Sequence, residues 1–167
     1  MFTKVQAIFD SAPWDVVGLF GLHAAVFLYG LLNRRNHMLS LIFSLYFSQI
    51  IFEHFHVIRP FIQSESASML EVFYFQTALY LVMIALFATI IYKKAFGDGG
   101  TRLRFWKILL LVAAIGGLAT SSFLRLIDID KLYQISPLVE KIFTGENQIL
   151  LWLLLPILAI LTLIRKA

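Results

Sequence analysis

Leu70 to Tyr92 reads LEVFYFQTALYLVMIALFATIIY. Glu71 is its one charged residue and stands at the second position, so an almost uninterrupted apolar run follows. An α-helix rises about 1.5 Å per residue, and roughly 20 apolar residues therefore cross the hydrocarbon core of a bilayer. The stretch reads as a membrane span. Three others match it: Trp14 to Leu32, Leu39 to Ile58 and Trp106 to Ile127. A shorter fifth, Ile149 to Ile164 (ILLWLLLPILAILTLI), contains Pro156, which a membrane helix tolerates because neighbouring groups satisfy the freed carbonyl.

Composition agrees with that reading. The 167 residues are 60% hydrophobic, 15% aromatic and only 14% charged, with a mean hydropathy of +0.84. So little polar surface does not cover a soluble globule. The expected fold is an all-α integral membrane protein, one polytopic domain over residues 1–167. It has five transmembrane helices and a short interfacial amphipathic helix between the fourth and fifth, over Pro137 to Thr144. Ser136 suits the N-cap there, Pro137 the first helical position and Gly145 the stop. Leu138, Val139, Ile142 and Phe143 are expected on one side of it, which lies either in the membrane interface or on the ends of the bundle.

The formal charge of +4 does not mark a nucleic-acid surface, because the cations stand at the ends of apolar runs. Alternate sides collect nine and five Lys and Arg residues. The richer side holds Arg34, Arg35, Lys93, Lys94, Arg102, Arg104, Lys107, Arg165 and Lys166. That side is expected to be cytoplasmic, with the N-terminus outside and the C-terminus inside. MFTKVQAIFDSA lacks the charge of a signal peptide and the next apolar run lacks a small-residue cleavage site, so the first run is expected to remain as a helix. The absence of cysteine removes disulfides, thiolate metal sites and cysteine nucleophiles.

The polar residues within the spans are the candidates for function. FEHFHVIRP, Phe52 to Pro60, closes the second span, and on a helix its Glu53 and His56 share a face. Di-iron bundles use E-x-x-H twice together with further glutamates, and this chain has it once. The reading is therefore a polar cluster at the outer boundary, built from Gln49, Glu53, His56, Arg59, Glu71 and Arg125. Ser40, Ser44 and Ser48 extend it inward as a candidate pathway. His23 lies mid-membrane and is expected to hydrogen-bond across a helix contact; no histidine at matching depth makes it a haem ligand. Ala113, Gly117 and Ser121 recur every four residues and are expected to form a close helix contact. The loop KKAFGDGGTRLR lacks the order of a phosphate-binding loop and reads as a cytoplasmic turn with affinity for anionic head groups. No catalytic set, cofactor or metal is expected.

The order of these features resembles the colicin V production protein family of bacterial inner-membrane proteins. The likeness rests on Tyr29-Gly30-Leu31-Leu32-Asn33-Arg34-Arg35 after the first helix, the glycine-containing loop before a small-residue fourth helix, and Ser136-Pro137-Leu138 after it. It covers about residues 13 to 145, and this chain departs from it with a fifth helix and a less glycine-rich first turn. The resemblance implies a non-enzymatic membrane protein of export or envelope homeostasis. Scaffold, accessory subunit and oligomeric channel component are the roles that the small-residue helix faces and the lack of a complete catalytic set suggest, with lipids, further copies or another membrane protein as partners. The alternative is a metal- or proton-dependent membrane enzyme or carrier that uses the Glu/His cluster.

Overall fold

The structure is a computed structural model that describes residues 14–54, 68–97, 102–126 and 135–164. Every element in these segments is helical. They are α1 (Trp14–Leu32), α2 (Arg35–His54), α3 (Met69–Ile91) continued by a π-helical turn (Tyr92–Phe96), α4 (Phe105–Leu126), α5 (Pro137–Phe143) and α6 (Glu146–Ile164). Three stretches are long and apolar enough to cross a membrane: Asp15–Leu32, Leu70–Phe96 and Phe105–Arg125. α5 and α6 reach that measure only together, across a 60° bend. Among the described residues this gives three spans, or four with the bent pair, where the sequence reading expects five.

α2 falls short because Arg35, Asn36 and His37 fill its first turn and Ser40, Ser44, Ser48 and Gln49 interrupt its interior. Those same residues explain its place. Asn36, the three serines and Gln49 are all buried, beside Met38, Leu39, Ile42, Leu45 and Phe52. α2 packs chiefly on α3 and α4, and α4 packs on α1 and α6. The outward faces are apolar instead, with Phe20, Leu28, Val82, Leu86, Leu150 and Leu158 exposed. Polar-in and apolar-out is the arrangement a lipid surround favours, because dispersion and interhelical hydrogen bonds then hold the helices together. Met38, Ile42 and Leu45 of α2 meet Leu111, Ile115 and Leu118 of α4 in one core cluster. Gly30 lets α1 approach it, since a Cβ there would lie 3.0 Å from both Ile108 Cγ2 and Met38 Cε.

The helix ends gather into two groups. At the basic end only Asn33 and Arg34 separate α1 from α2, and the Asn33 backbone and side-chain N–H groups both donate to the Tyr29 carbonyl. α2 therefore begins at Arg35 rather than at Leu39, and residues 55–58 of the expected span lie outside the described residues. The π-turn closes with Gly97 N–H donating to Tyr92 O at 2.7 Å, in a left-handed conformation (φ 60°) that favours glycine. Asn36 Nδ2 donates to the Phe96 and Gly97 carbonyls, 3.2 Å each, and the His37 ring stacks on Tyr92 at 3.9 Å.

At the carboxylate end Asp15 Oδ2 accepts the Ser136 N–H at 2.7 Å, fastening the start of α1 to α5. Ser136 caps α5 as expected, and its Oγ accepts from Val139 N–H. The stop differs. Thr144 ends α5, its backbone N–H and its Oγ1 both donating to Glu140 O, while Gly145 leaves room for the Gln148 side chain. Val139 and Phe143, four apart, are buried, whereas Leu138 and Ile142 are exposed, so α5 docks on the bundle with half of its apolar residues.

Candidate functional site

Near the C-terminal end of α2, the buried Gln49 accepts a hydrogen bond through Oε1 from the Ser122 hydroxyl of α4, at 3.0 Å. One helical turn toward the carboxylate end, Arg125 Nη2 stands 3.4 Å from Glu53 Oε1. Gln49 and Glu53 are i and i+4 on α2, and Ser122 and Arg125 are i and i+3 on α4, so each pair shares a helix face. The two helices are joined by a neutral rung inside and an ionic rung outside. The inner rung is worth about 1 kcal/mol as an ordinary buried hydrogen bond. The ionic rung, with side chains 47% exposed for Arg125 and 29% for Glu53, is worth less as long as water reaches it.

α3 supplies the third wall. Tyr80 is buried with its ring 5.6 Å from Phe52 in an edge contact, and its hydroxyl lies beside Ser122. Ser48 Oγ and Thr77 Oγ1 are buried with no hydrogen-bond partner among the described residues. Gln76, one turn from Tyr80, is buried as well. The half of the bundle toward the carboxylate end thus holds hydrogen-bonding groups with spare capacity.

The other half of the expected pathway behaves differently. Ser40 Oγ donates to His37 O and Ser44 Oγ to Leu41 O, 2.8 Å each, on their own helix. Their hydroxyls are turned back, and what they contribute is small size. Tyr46 of α2 instead reaches across to the Leu153 carbonyl of α6.

His23 is held within its own helix, contrary to the cross-helix bond expected for it: Nδ1 stands 2.9 Å from Leu19 O. A carbonyl only accepts, so Nδ1 carries the proton of this bond. Its imidazole lies against Gly116, where an added Cβ would overlap the ring. The next residue receives another ring, for a Cβ on Gly117 would overlap Trp152 of α6. Trp152 is fixed there by Nε1 donating to Ile142 O at 2.9 Å and by stacking on Phe143 at 5.1 Å. Ser121 completes the junction by donating to Phe143 O at 3.1 Å. Ala113, the third member of that stripe, is exposed.

Glu71, which the sequence reading includes in the polar cluster, has a local partner. Its Oε2 accepts Ser68 N–H at 2.8 Å while Ser68 Oγ accepts Glu71 N–H at 3.2 Å, a reciprocal capping box that starts α3. The pattern Ser68-x-x-Glu71 stood in the sequence as its signal. His56 and Arg59 lie outside the described residues. Among the described residues no group of three His, Asp or Glu side chains could hold a metal ion. Sequence reasoning missed Ser122, Tyr80 and Gln76. The signal available for each was a polar group within an apolar span, where such groups are costly unless partnered. Comparison with protein-family models, with curated proteins and with solved structures finds no match for this chain.

Proposed function

We propose that this chain is a non-enzymatic, five-span protein of the bacterial inner membrane that works through assembly. In this reading it is a scaffold or accessory subunit in export or envelope homeostasis, its N-terminus outside and its C-terminus cytoplasmic. One observation carries the choice of a scaffold over a pore. The Ser40 and Ser44 hydroxyls close on their own helix while Met38, Ile42 and Leu45 join the apolar core with Leu111, Ile115 and Leu118. A water-filled path needs a continuous polar wall, and this half of the bundle offers an apolar one. A channel would therefore be formed between copies.

A second reading, a proton-dependent carrier, has its own support. Glu53 is an ionisable group near the end of α2, the helix that also carries the buried, unpartnered Ser48 hydroxyl, and intramembrane ionisable groups often carry protons. Purification from native membranes in mild detergent, paired with reconstitution into vesicles holding a pH-sensitive dye, separates the two. The scaffold reading expects a stoichiometric partner or a discrete oligomer, and proton-tight vesicles. Monomeric protein with a proton flux that Glu53→Gln abolishes would replace it with the carrier.

A further inference from the structure

The basic end brings three segments of the chain together. Asn36 bonds the Phe96 and Gly97 carbonyls, His37 stacks on Tyr92, and Phe27 meets Phe105 edge-on at 5.9 Å. Arg35, Lys93, Lys94, Arg102, Arg104 and Lys107 are thereby collected at one end of the bundle. Residues 27–41, 88–97 and 102–112 contain no carboxylate; Asp98 lies outside the described residues.

Two helices start here, and both start against the usual rule. The first N–H groups of a helix are unsatisfied and its N-terminus carries positive charge, so a carboxylate is favoured in the first turn. The helices that start at the opposite end obey: Asp15 in α1, Glu71 in α3 and Glu140 in α5. α2 and α4 have no acid in the first turn and carry Arg35 and Lys107 there. Arg35 Nε, moreover, is buried and has no hydrogen-bond partner among the described residues. Among the described residues, these helix ends, the cations around them and the Arg35 guanidinium have no carboxylate to pair with.

We infer that the basic end binds the head group of an anionic phospholipid. A phosphate diester satisfies both demands, accepting from helix N–H groups and pairing with guanidinium and ammonium groups. The apolar surroundings select a lipid over free phosphate. Leu32 is 84% exposed and Trp106 78%, with Leu109 and Leu110 also exposed along α4, which gives acyl chains a surface directly beside the cations. Tryptophan at the level of the head groups anchors such an interface. This inference goes beyond the proposed function and does not depend on it.

The test is thermal unfolding of the full chain in neutral detergent with phosphatidylglycerol, phosphatidylcholine or inorganic phosphate added. Phosphatidylglycerol near saturation is expected to raise Tm by about 5 °C and the other two to leave it unchanged. The double variants Arg102→Gln/Arg104→Gln and Lys93→Gln/Lys94→Gln are each expected to reduce that rise while keeping the unliganded Tm. Lys93 and Lys94 are exposed on the π-turn, so the second variant serves if the first does not fold. An equal rise with phosphatidylcholine would overturn the inference. So would a rise with inorganic phosphate alone, which would mark a free-anion site, or an undiminished rise in folded charge variants, which would leave the cations as determinants of orientation only.

Discussion

α2 and α4 each carry a row of small residues at four-residue intervals, and the two rows have different fates. Ser40, Ser44 and Ser48 are buried from one end of α2 to the other. On α4 Ala113 is exposed, Gly117 receives the Trp152 ring and Ser121 bonds a carbonyl of α5. A repeat of four residues is 40° more than a full helical turn, so a row drifts around its helix. α2 is enclosed by neighbours on enough sides to keep its row covered, whereas α4's row passes from an exposed face into a contact. Small size in the sequence therefore marks where backbones are able to approach; the neighbours decide where they do.

The comparison breaks most readily at Gly117. Gly117→Leu is expected to destabilise the bundle by about 3 kcal/mol or more, because the first added carbon already overlaps the Trp152 ring, which its own hydrogen bond and Phe143 hold in place. Thermal unfolding in detergent measures it. A Gly117→Leu protein as stable as the parent would remove the α4–α6 junction described above.

Ser44→Leu comes next, at about 1 to 3 kcal/mol by the same measurement. The site is fully buried, but a Cβ is already accommodated and only the longer branch must be placed. Ser44→Ala should be nearly silent, since the lost hydroxyl bonds only its own helix. If alanine cost as much as leucine, the hydroxyl rather than the size of Ser44 would be what matters, and the polar-path reading would gain.

Ala113→Leu is the smallest effect, within about 0.5 kcal/mol, because the position is exposed. It sharpens the comparison from the other side. A loss there similar to that at Gly117 would mean that a second chain covers this face, which size-exclusion chromatography of the two proteins would show.

Much of this architecture is legible in the residues themselves. The Leu70 to Tyr92 run, the Ser136-Pro137 start of α5 and the end of α1 at Leu32 depend on local chemistry, which sequence displays directly. Partners across helices were harder to read. Glu53 had several cationic candidates in the sequence, and the structure pairs it with Arg125. The choice depends on how α2 and α4 are rotated against each other, and no single segment encodes that. Glu71 shows the opposite case. Its local partner Ser68 is three residues away, a partner that an argument from depth in the membrane does not reveal. The rings over Gly116 and Gly117 were invisible because a glycine reveals that something comes close, never what it is.

The bond between Asp15 and Ser136 spans 121 residues of chain, and it therefore sets a schedule. α1 leaves the ribosome first, yet the group that fastens its start is made near the end of synthesis. At roughly 5 to 20 residues per second, that interval lasts on the order of ten seconds. For that time the first helix must stay in place by its fit to lipid and then to α2 and α4 alone, and the Asp15 carboxylate must wait in water. This contact closes a ring from the first helix to the fifth, and only the contacts of α6, through Trp152 and Leu153, come after it in the order of synthesis.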